Sequence, residues 1–272
     1  MTWLGKVFGG TFGFLLGGPL GGILGAAVGH QFDKGMDGLD EFQEAFEPGK
    51  QRRVQSAFFS ATFSIMGHLA KADGKVSKAE IELAEAIIRN MELSLDMRQT
   101  AIRLFNEGKR PDFPLDEALD QLRRECHRRT TLIRVFIEIQ LQAALADGEL
   151  DPIEDRLVQY ICSRLQFSIY EYQRLKVILQ AQQRFAEGGA WQRRRAPHPE
   201  PPKVEDAYAV LGVSAAASDA EIKKAYRRLM SQNHPDKLVS KGLPEEMIKV
   251  ATEKTQKIRK AYELIREKRG IS

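Results

Sequence analysis

Apolar and polar positions divide the chain into stretches of different rhythm. From Val7 to Gly29 no side chain is charged, a run of 23 residues, and a helix needs only ~20 to cross the hydrocarbon core of a bilayer. Residues 30–49 turn polar, with Gly35, Gly38, Pro48 and Gly49, and read as a linker with one helical stretch at Leu39–Phe46. From 50 to 187 apolar residues recur at helical spacing with no alternating β pattern. Residues 188–203 hold four of the 11 prolines together with Arg193-Arg194-Arg195 and read as an extended, semi-rigid, solvated spacer. Helical periodicity returns from 204 to 272. The predicted fold class is all-α, with a single N-terminal transmembrane helix at 1–29, a helical bundle with an internal repeat at 50–187 and a C-terminal helical hairpin at 204–272.

Glycines in the first stretch keep a period of four: Gly5, Gly9, Gly13, Gly17, Gly21, Gly25 and Gly29. That spacing lays small residues along one ridge, where two membrane helices approach closely, and predicts a homodimer whose contact runs through Gly9, Gly13, Gly17, Gly21 and Gly25. Each step of four overshoots a helical turn by ~40°, so the ridge winds and one straight partner does not touch all of it. Pro19 is placed to kink the span. A cleaved signal peptide is the rival reading, with Lys6 as its basic end and Ala26-Ala27-Val28-Gly29 as its small-residue site. The retained anchor is preferred, because so few residues precede the span and so many glycines make a poor signal core.

The middle stretch repeats itself. Ala72-Asp73-Gly74-Lys75-Val76-Ser77 matches Ala146-Asp147-Gly148-Glu149-Leu150-Asp151 at an offset of 74, and the register continues through Glu80/Glu154, Leu83/Leu157 and Ile87/Ile161. Each unit reads as helix, Asp-Gly turn, helix. Ser77-x-x-Glu80 and Asp151-x-x-Glu154 are capping boxes, and Pro152 sits at a first helical position. Two helix pairs are expected to pack into one bundle. An EF-hand is excluded, since the position eleven residues after Asp73 is Ala84. Gly74-Lys75-Val76-Ser77 is not a phosphate loop, which needs Ser or Thr directly after Gly-Lys.

The last stretch carries the densest constellation. Asp206-Ala207-Tyr208-Ala209-Val210-Leu211-Gly212-Val213 precedes Ser218-Asp219-Ala220-Glu221, again a capping box. Ile222, Ala225, Tyr226 and Leu229 recur at i, i+3, i+4, i+7 and form a buried face. Lys223, Lys224, Arg227 and Arg228 lie off that face. The helix is predicted to stop before His234-Pro235-Asp236, since proline disfavours helical geometry in the residue before it. A second helix is predicted from about Glu245 to Lys268, with Met247, Val250, Ile258, Ala261, Tyr262 and Ile265 at its core positions.

Charge sharpens this picture. The net charge is +4, yet residues 203–272 carry 15 Lys/Arg against 10 Asp/Glu, so everything upstream sums to −1. A basic C-terminal module implies an acidic protein surface as partner; nucleic acid is not predicted. The two cysteines, Cys126 and Cys162, form no C-x-x-C pair, which excludes a zinc ribbon or a thioredoxin-like centre. Cys126-His127 is the one thiol–imidazole neighbour pair, and adjacent helical residues point ~100° apart. No catalytic residues and no cofactor are predicted.

Over 204–268 the chain resembles the J-domain of DnaJ-type co-chaperones. The resemblance rests on D-x-Y-x-x-L-G-V, the basic helix, His-Pro-Asp and Arg259-Lys260-Ala261-Tyr262-Glu263. It implies an antiparallel hairpin with His234, Pro235 and Asp236 at its tip. It also implies docking of these residues, with Lys223, Lys224, Arg227 and Arg228, on an ATP-bound DnaK-type chaperone whose hydrolysis they speed. One departure is Thr255, where that family usually has Phe. Over 52–187 the repeated Ala-Asp-Gly pattern resembles the TerB (tellurite-resistance) family, which implies Asp73, Glu80, Asp147 and Glu154 as candidate metal ligands. Their other reading, as helix caps and helix starts, is preferred.

The order of span, TerB-like bundle and J-domain resembles a family of bacterial inner-membrane co-chaperones. The resemblance implies a dimer through the span and a link to an envelope-stress phosphorelay controlling capsule synthesis. The alternative is a membrane scaffold or sensor whose bundle binds a metal or a signalling partner. The predicted topology is single-pass, N-terminus periplasmic and C-terminus cytoplasmic. Flanking charge is nearly balanced; the deciding consideration is that an ATP-loaded chaperone partner resides in the cytoplasm.

Overall fold

The computed structural model of the protein describes residues 18–23, 50–72, 93–127, 129–145, 150–190, 203–244 and 247–270. Among them every regular element is a helix. The chain divides into two compact units, Met1–Phe167 with Val239–Ile248, and Ser168–Leu238 with Lys249–Ser272.

The first unit is built around α1 (Lys50–Leu69), which packs against α2 (Leu95–Gly108), α3 (Leu115–Cys126), α4 (Thr130–Ala144) and α5 (Pro152–Arg164). Residues 57–67 of α1 are all buried, as expected of a helix surrounded by others. Three hydroxyls fall inside with Phe58, Phe63 and Ile65. Thr62 Oγ1 donates to the Phe58 carbonyl and Ser64 Oγ to the Ser60 carbonyl, both at 2.7 Å, so these two hydroxyls are satisfied by their own helix, whereas the Ser60 hydroxyl has no hydrogen-bond partner among the described residues. From α4, Gln140 Nε2 donates to the Thr62 carbonyl at 3.0 Å.

Two glycines set how closely α1 and α2 approach. A Cβ on Gly67 would fall on the Phe105 carbonyl, 2.8 Å from its carbon, and a Cβ on Gly108 would fall on the Ser64 carbonyl, 2.6 Å from its carbon. The pairs 64/108 and 67/105 run in opposite directions, so the helices cross antiparallel and backbone to backbone. Beside them His68 Nδ1 lies 3.3 Å from the Gly108 carbonyl, and burial pulls the imidazole below its ordinary pKa.

The expected capping box opens α5. The Asp151 side chain accepts from Ile153 N at 2.7 Å, Glu154 accepts from Asp151 N at 3.3 Å, and Pro152 takes the first turn. On the α3–α5 surface Arg164 pairs with Asp116 at 3.2 Å and Asp120 at 2.8 Å, and Tyr160 donates to Asp116. The two helices α2 and α3, which intervene between the repeat halves, have no counterpart in the expected two-pair bundle. Residues 18–23 are helical, Leu20 is buried and its amide donates to Gln121 Oε1 at 2.6 Å. Among the described residues no helix is long and apolar enough to cross a membrane; apart from 18–23 the expected span lies outside them.

The second unit contains α6 (Ile169–Ala190), α7 (Val204–Leu211), α8 (Asp219–Asn233), the first residues of α9 (Pro235–Ser240) and all but the first residue of α10 (Ile248–Arg269). Its core joins Ala207, Tyr208, Val210, Leu211, Ile222, Leu229, Ile258, Ala261 and Ile265, with Ala181 contributed by α6. Gly212 ends α7 at φ 65°, ψ 39°, a left-handed stop that favours glycine.

Candidate J-domain docking site

The site is a helix end held in place from several sides. Ser218 and Glu221 close the expected capping box at the start of α8: Ser218 N donates to Glu221 Oε2 at 2.8 Å and Glu221 N to Ser218 Oγ at 3.3 Å. Those bonds hold the Glu221 carboxyl below its usual range. Ile222, Ala225 and Leu229 are buried, and Tyr226 stacks on Tyr262 of α10 with centroids 4.2 Å apart and planes at 11°. Met247, Ile258, Ala261 and Ile265 are buried as expected, whereas Val250 and Tyr262 are half-buried. Thr255 is half-buried and turns its hydroxyl to the Thr252 carbonyl at 2.8 Å.

This packing fixes which residues face water. Lys224, Arg227 and Arg228 are exposed and Lys223 is half-buried, all on one helix whose other face is core. α8 ends at Asn233, and His234 follows with φ −62°, ψ 126°, the extended geometry expected before proline. Asp236 is 90 % exposed and the His234 ring about half, and His234 Nδ1 lies 3.8 Å from Asp236 Oδ2. The expected loop is shorter than the sequence suggests. Pro235 does not extend the chain but opens α9, because a first helical position needs no N–H and suits proline's fixed φ. The tripeptide is therefore a corner between two helices.

Residues that hold the two ends of α8 carry no local signal in the sequence. Asn233 is buried and its Nδ2 donates to the Leu229 carbonyl at 2.7 Å. Lys237 Nζ reaches back across the corner to Ser231 Oγ at 2.6 Å. Arg269, at the far end of α10, donates to Tyr208 Oη at 2.6 Å, to the Ala217 carbonyl at 2.7 Å, to Asp219 Oδ1 at 3.1 Å and to the Ala215 carbonyl. Its guanidinium also lies over the Tyr208 ring, 5.1 Å from the centroid. One arginine thus ties α7, the 215–217 turn and the start of α8 together. The sequence signal for it is absent, since its partners lie about fifty residues upstream.

Most of the other expected site residues lie outside the described part of the chain. Glu154 accepts the Asp151 amide as a cap, while Asp73, Glu80 and Asp147 lie outside the described residues. Among the described residues no group of three or more His, Cys, Asp or Glu is placed to hold a metal ion. Gly21 is buried within 18–23; Gly9, Gly13, Gly17 and Gly25 lie outside the described residues. Cys126 and Cys162 are buried free thiols, and burial pushes each up to about 12, leaving negligible thiolate for nucleophilic chemistry.

Comparison with known proteins gives three successive matches along the chain. Residues 1–45 match the Co-chaperone DjlA transmembrane domain, 59–177 the Tellurite resistance protein TerB, and 206–270 the DnaJ domain. Proteins called Co-chaperone protein DjlA are similar end to end. That of Coxiella burnetii is 46% identical, covering 100% of both chains. That of Vibrio cholerae is 43% identical over 98% of both, and that of Photorhabdus laumondii 42% identical over 90% of this chain and 89% of its own. No solved structure matches the chain. A transmembrane-domain match, a TerB match and a J-domain match along this chain, together with similarity to these relatives over nearly their full length, establish that the chain belongs to the DjlA family of membrane-anchored co-chaperones.

Proposed function

We propose that the protein docks on the ATP-bound state of a DnaK-type chaperone through α8 and the His234-Pro235-Asp236 corner, and that docking stimulates the chaperone's ATP hydrolysis. The observation that carries this is the coincidence of an exposed His234 and Asp236 with an exposed cationic face on the helix ending at that corner. Lys224, Arg227 and Arg228 steer the module to an acidic surface, and their field acts on the rate and salt dependence of encounter. His234 and Asp236 then present a donor and an acceptor in a relation fixed by Pro235, Asn233 and Lys237. The chain itself performs no bond chemistry in this reading.

The same proposal places the anchor in the bacterial inner membrane, with the amino terminus periplasmic and the helical bundle and J-domain in the cytoplasm, where ATP-loaded chaperone is present. It assigns the glycine ridge Gly9–Gly25 to a homodimer contact, and it links the protein to envelope-stress and capsule signalling. A C-terminal alkaline phosphatase fusion is expected inactive and a C-terminal fluorescent fusion bright; the reverse pattern contradicts the topology. Gly13→Leu with Gly17→Leu is expected to abolish association in a membrane two-hybrid assay.

Binding as a function of salt tests the docking face. Exposed charges are screened over ~10 Å at 0.1 M, so wild-type affinity for ATP-loaded chaperone should fall as salt rises. Lys224→Glu with Arg227→Glu should weaken binding most at low salt. Salt-independent binding by the wild type contradicts the assignment of this face.

A further inference from the structure

The J-domain match runs unbroken from 206 to 270, yet Val239–Ile248 groups with the helical bundle and not with the hairpin on either side of it. This segment begins three residues after Asp236. Its seat is specific. Arg129, at the start of α4, donates through Nη1 to the Lys241 carbonyl at 2.9 Å. Lys241 Nζ in return donates to Thr131 Oγ1 at 2.9 Å. The crossed pair fastens one residue of the segment by both its backbone and its side chain.

Gly242 sits between these bonds at φ 101°, a conformation that L side chains rarely adopt. A Cβ there would meet the Arg129 guanidinium and would stand 2.9 Å from Val54 Cγ1 and 3.6 Å from Leu132 Cδ1. Val54 and Leu132 are themselves core residues of the bundle. The glycine is thus seated on α1 and α4 with no room for a side chain, and Leu243 and Met247 beyond it are buried. On the bundle side the turn that presents Arg129 is also tightly specified. His127 holds φ 43°, ψ −119°, and Arg129 N donates to the Cys126 carbonyl at 2.8 Å. A residue other than glycine at positive φ is costly and persists where its surroundings over-determine it.

We infer that Arg129, Thr131, Val54 and Leu132 form a latch that grips the segment following the His-Pro-Asp corner, and that release of this latch lets the already exposed corner adjust to the partner chaperone. The functional part rests on the docking reading above. With the latch closed, the chain leaving α9 is committed to the bundle, so the corner cannot adjust independently as it docks. A ligand whose competent state is only partly populated shows an affinity reduced by that fraction. The bundle then does more than connect the anchor to the J-domain. Anything that shifts the 126–131 turn also changes recruitment of the chaperone.

Hydrogen exchange on the full chain in lipid nanodiscs reads the latch without any partner. The Gly242 amide donates to the Val239 carbonyl at 2.8 Å and should be protected in the wild type. Arg129→Ala and Thr131→Val should each speed exchange across 240–243, by about 3- to 10-fold if each removes one hydrogen bond of ordinary net strength. The same variants should tighten binding of ATP-loaded DnaK-type chaperone by a similar factor. Exchange at 240–243 unchanged in both variants overturns the latch. Faster exchange with unchanged or weaker chaperone binding overturns its regulatory role. If Arg129→Ala also loosens the α1 amides, Thr131→Val, which keeps the guanidinium, decides. Failure of the wild type to bind the chaperone at all contradicts the docking reading instead, and the exchange measurement still settles whether the latch exists.

Discussion

Replacing Gly67 or Gly108 by alanine tests whether the α1–α2 crossing is as close as described. Each added Cβ would lie on a backbone carbonyl, 2.8 Å from the Phe105 carbon or 2.6 Å from the Ser64 carbon, whereas carbon atoms in good contact stand about 3.5–4.0 Å apart. Neither obstacle is a flexible side chain, so the helices themselves must part by about 1 Å. Overpacking of this kind costs about 1–3 kcal/mol, and a backbone obstacle places these sites at the upper end. Alanine's helix propensity returns roughly 1 kcal/mol. The net expectation is a loss of about 2 kcal/mol from the bundle for either variant. The double variant should lose less than the sum, since the first substitution already opens the crossing for the second. Native-state hydrogen exchange of the α1 amides reads this in the full chain, because it reports the opening of that element alone. Stabilisation by about 1 kcal/mol, the propensity gain by itself, would refute the close crossing.

Three further outcomes follow from the same packing. Asn233→Ala leaves the end of α8 without its side-chain bond and should destabilise the hairpin by about 1 kcal/mol, read as faster exchange of the α8 amides. His68 has a lowered folded-state pKa, so the unfolded chain binds more protons as pH falls below about 6.5. The bundle's stability is therefore complete above that pH and declines as pH drops through the folded value, and a denaturation series from pH 7.5 to 5 should lose part of its slope in His68→Gln. Cys126 and Cys162, pushed up to about 12 by burial, should resist iodoacetamide at pH 8 in the native chain and react on unfolding.

What the sequence discloses here depends on how far apart the partners lie. The capping boxes at Ser218/Glu221 and Asp151/Glu154 span three residues, and both appear as expected. The buried face of α8 was legible because periodicity is a property of one helix. The His-Pro-Asp corner was legible in place but not in shape, because proline both blocks helix before it and starts helix after it. Arg269 was invisible: its four partners sit at 208, 215, 217 and 219. Gly67 and Gly108 were equally silent, since each is explained by a backbone about forty residues away. The grip on Gly242 joins residues 54, 129 and 132 to 242, and no local pattern marks such a contact. Glu154 illustrates the converse, an acidic residue that the TerB resemblance offered as a candidate metal ligand and that here caps a helix.

The most direct test of the central claim is single-turnover ATP hydrolysis by a bacterial DnaK-type chaperone with the full-length protein in nanodiscs. His234 is chosen because it is exposed, ends α8 and carries none of the core, so His234→Gln should leave the fold intact. The account predicts strong stimulation by the wild type and none by His234→Gln, with Gly242 amide protection the same in both. Equal stimulation by the two proteins would contradict it.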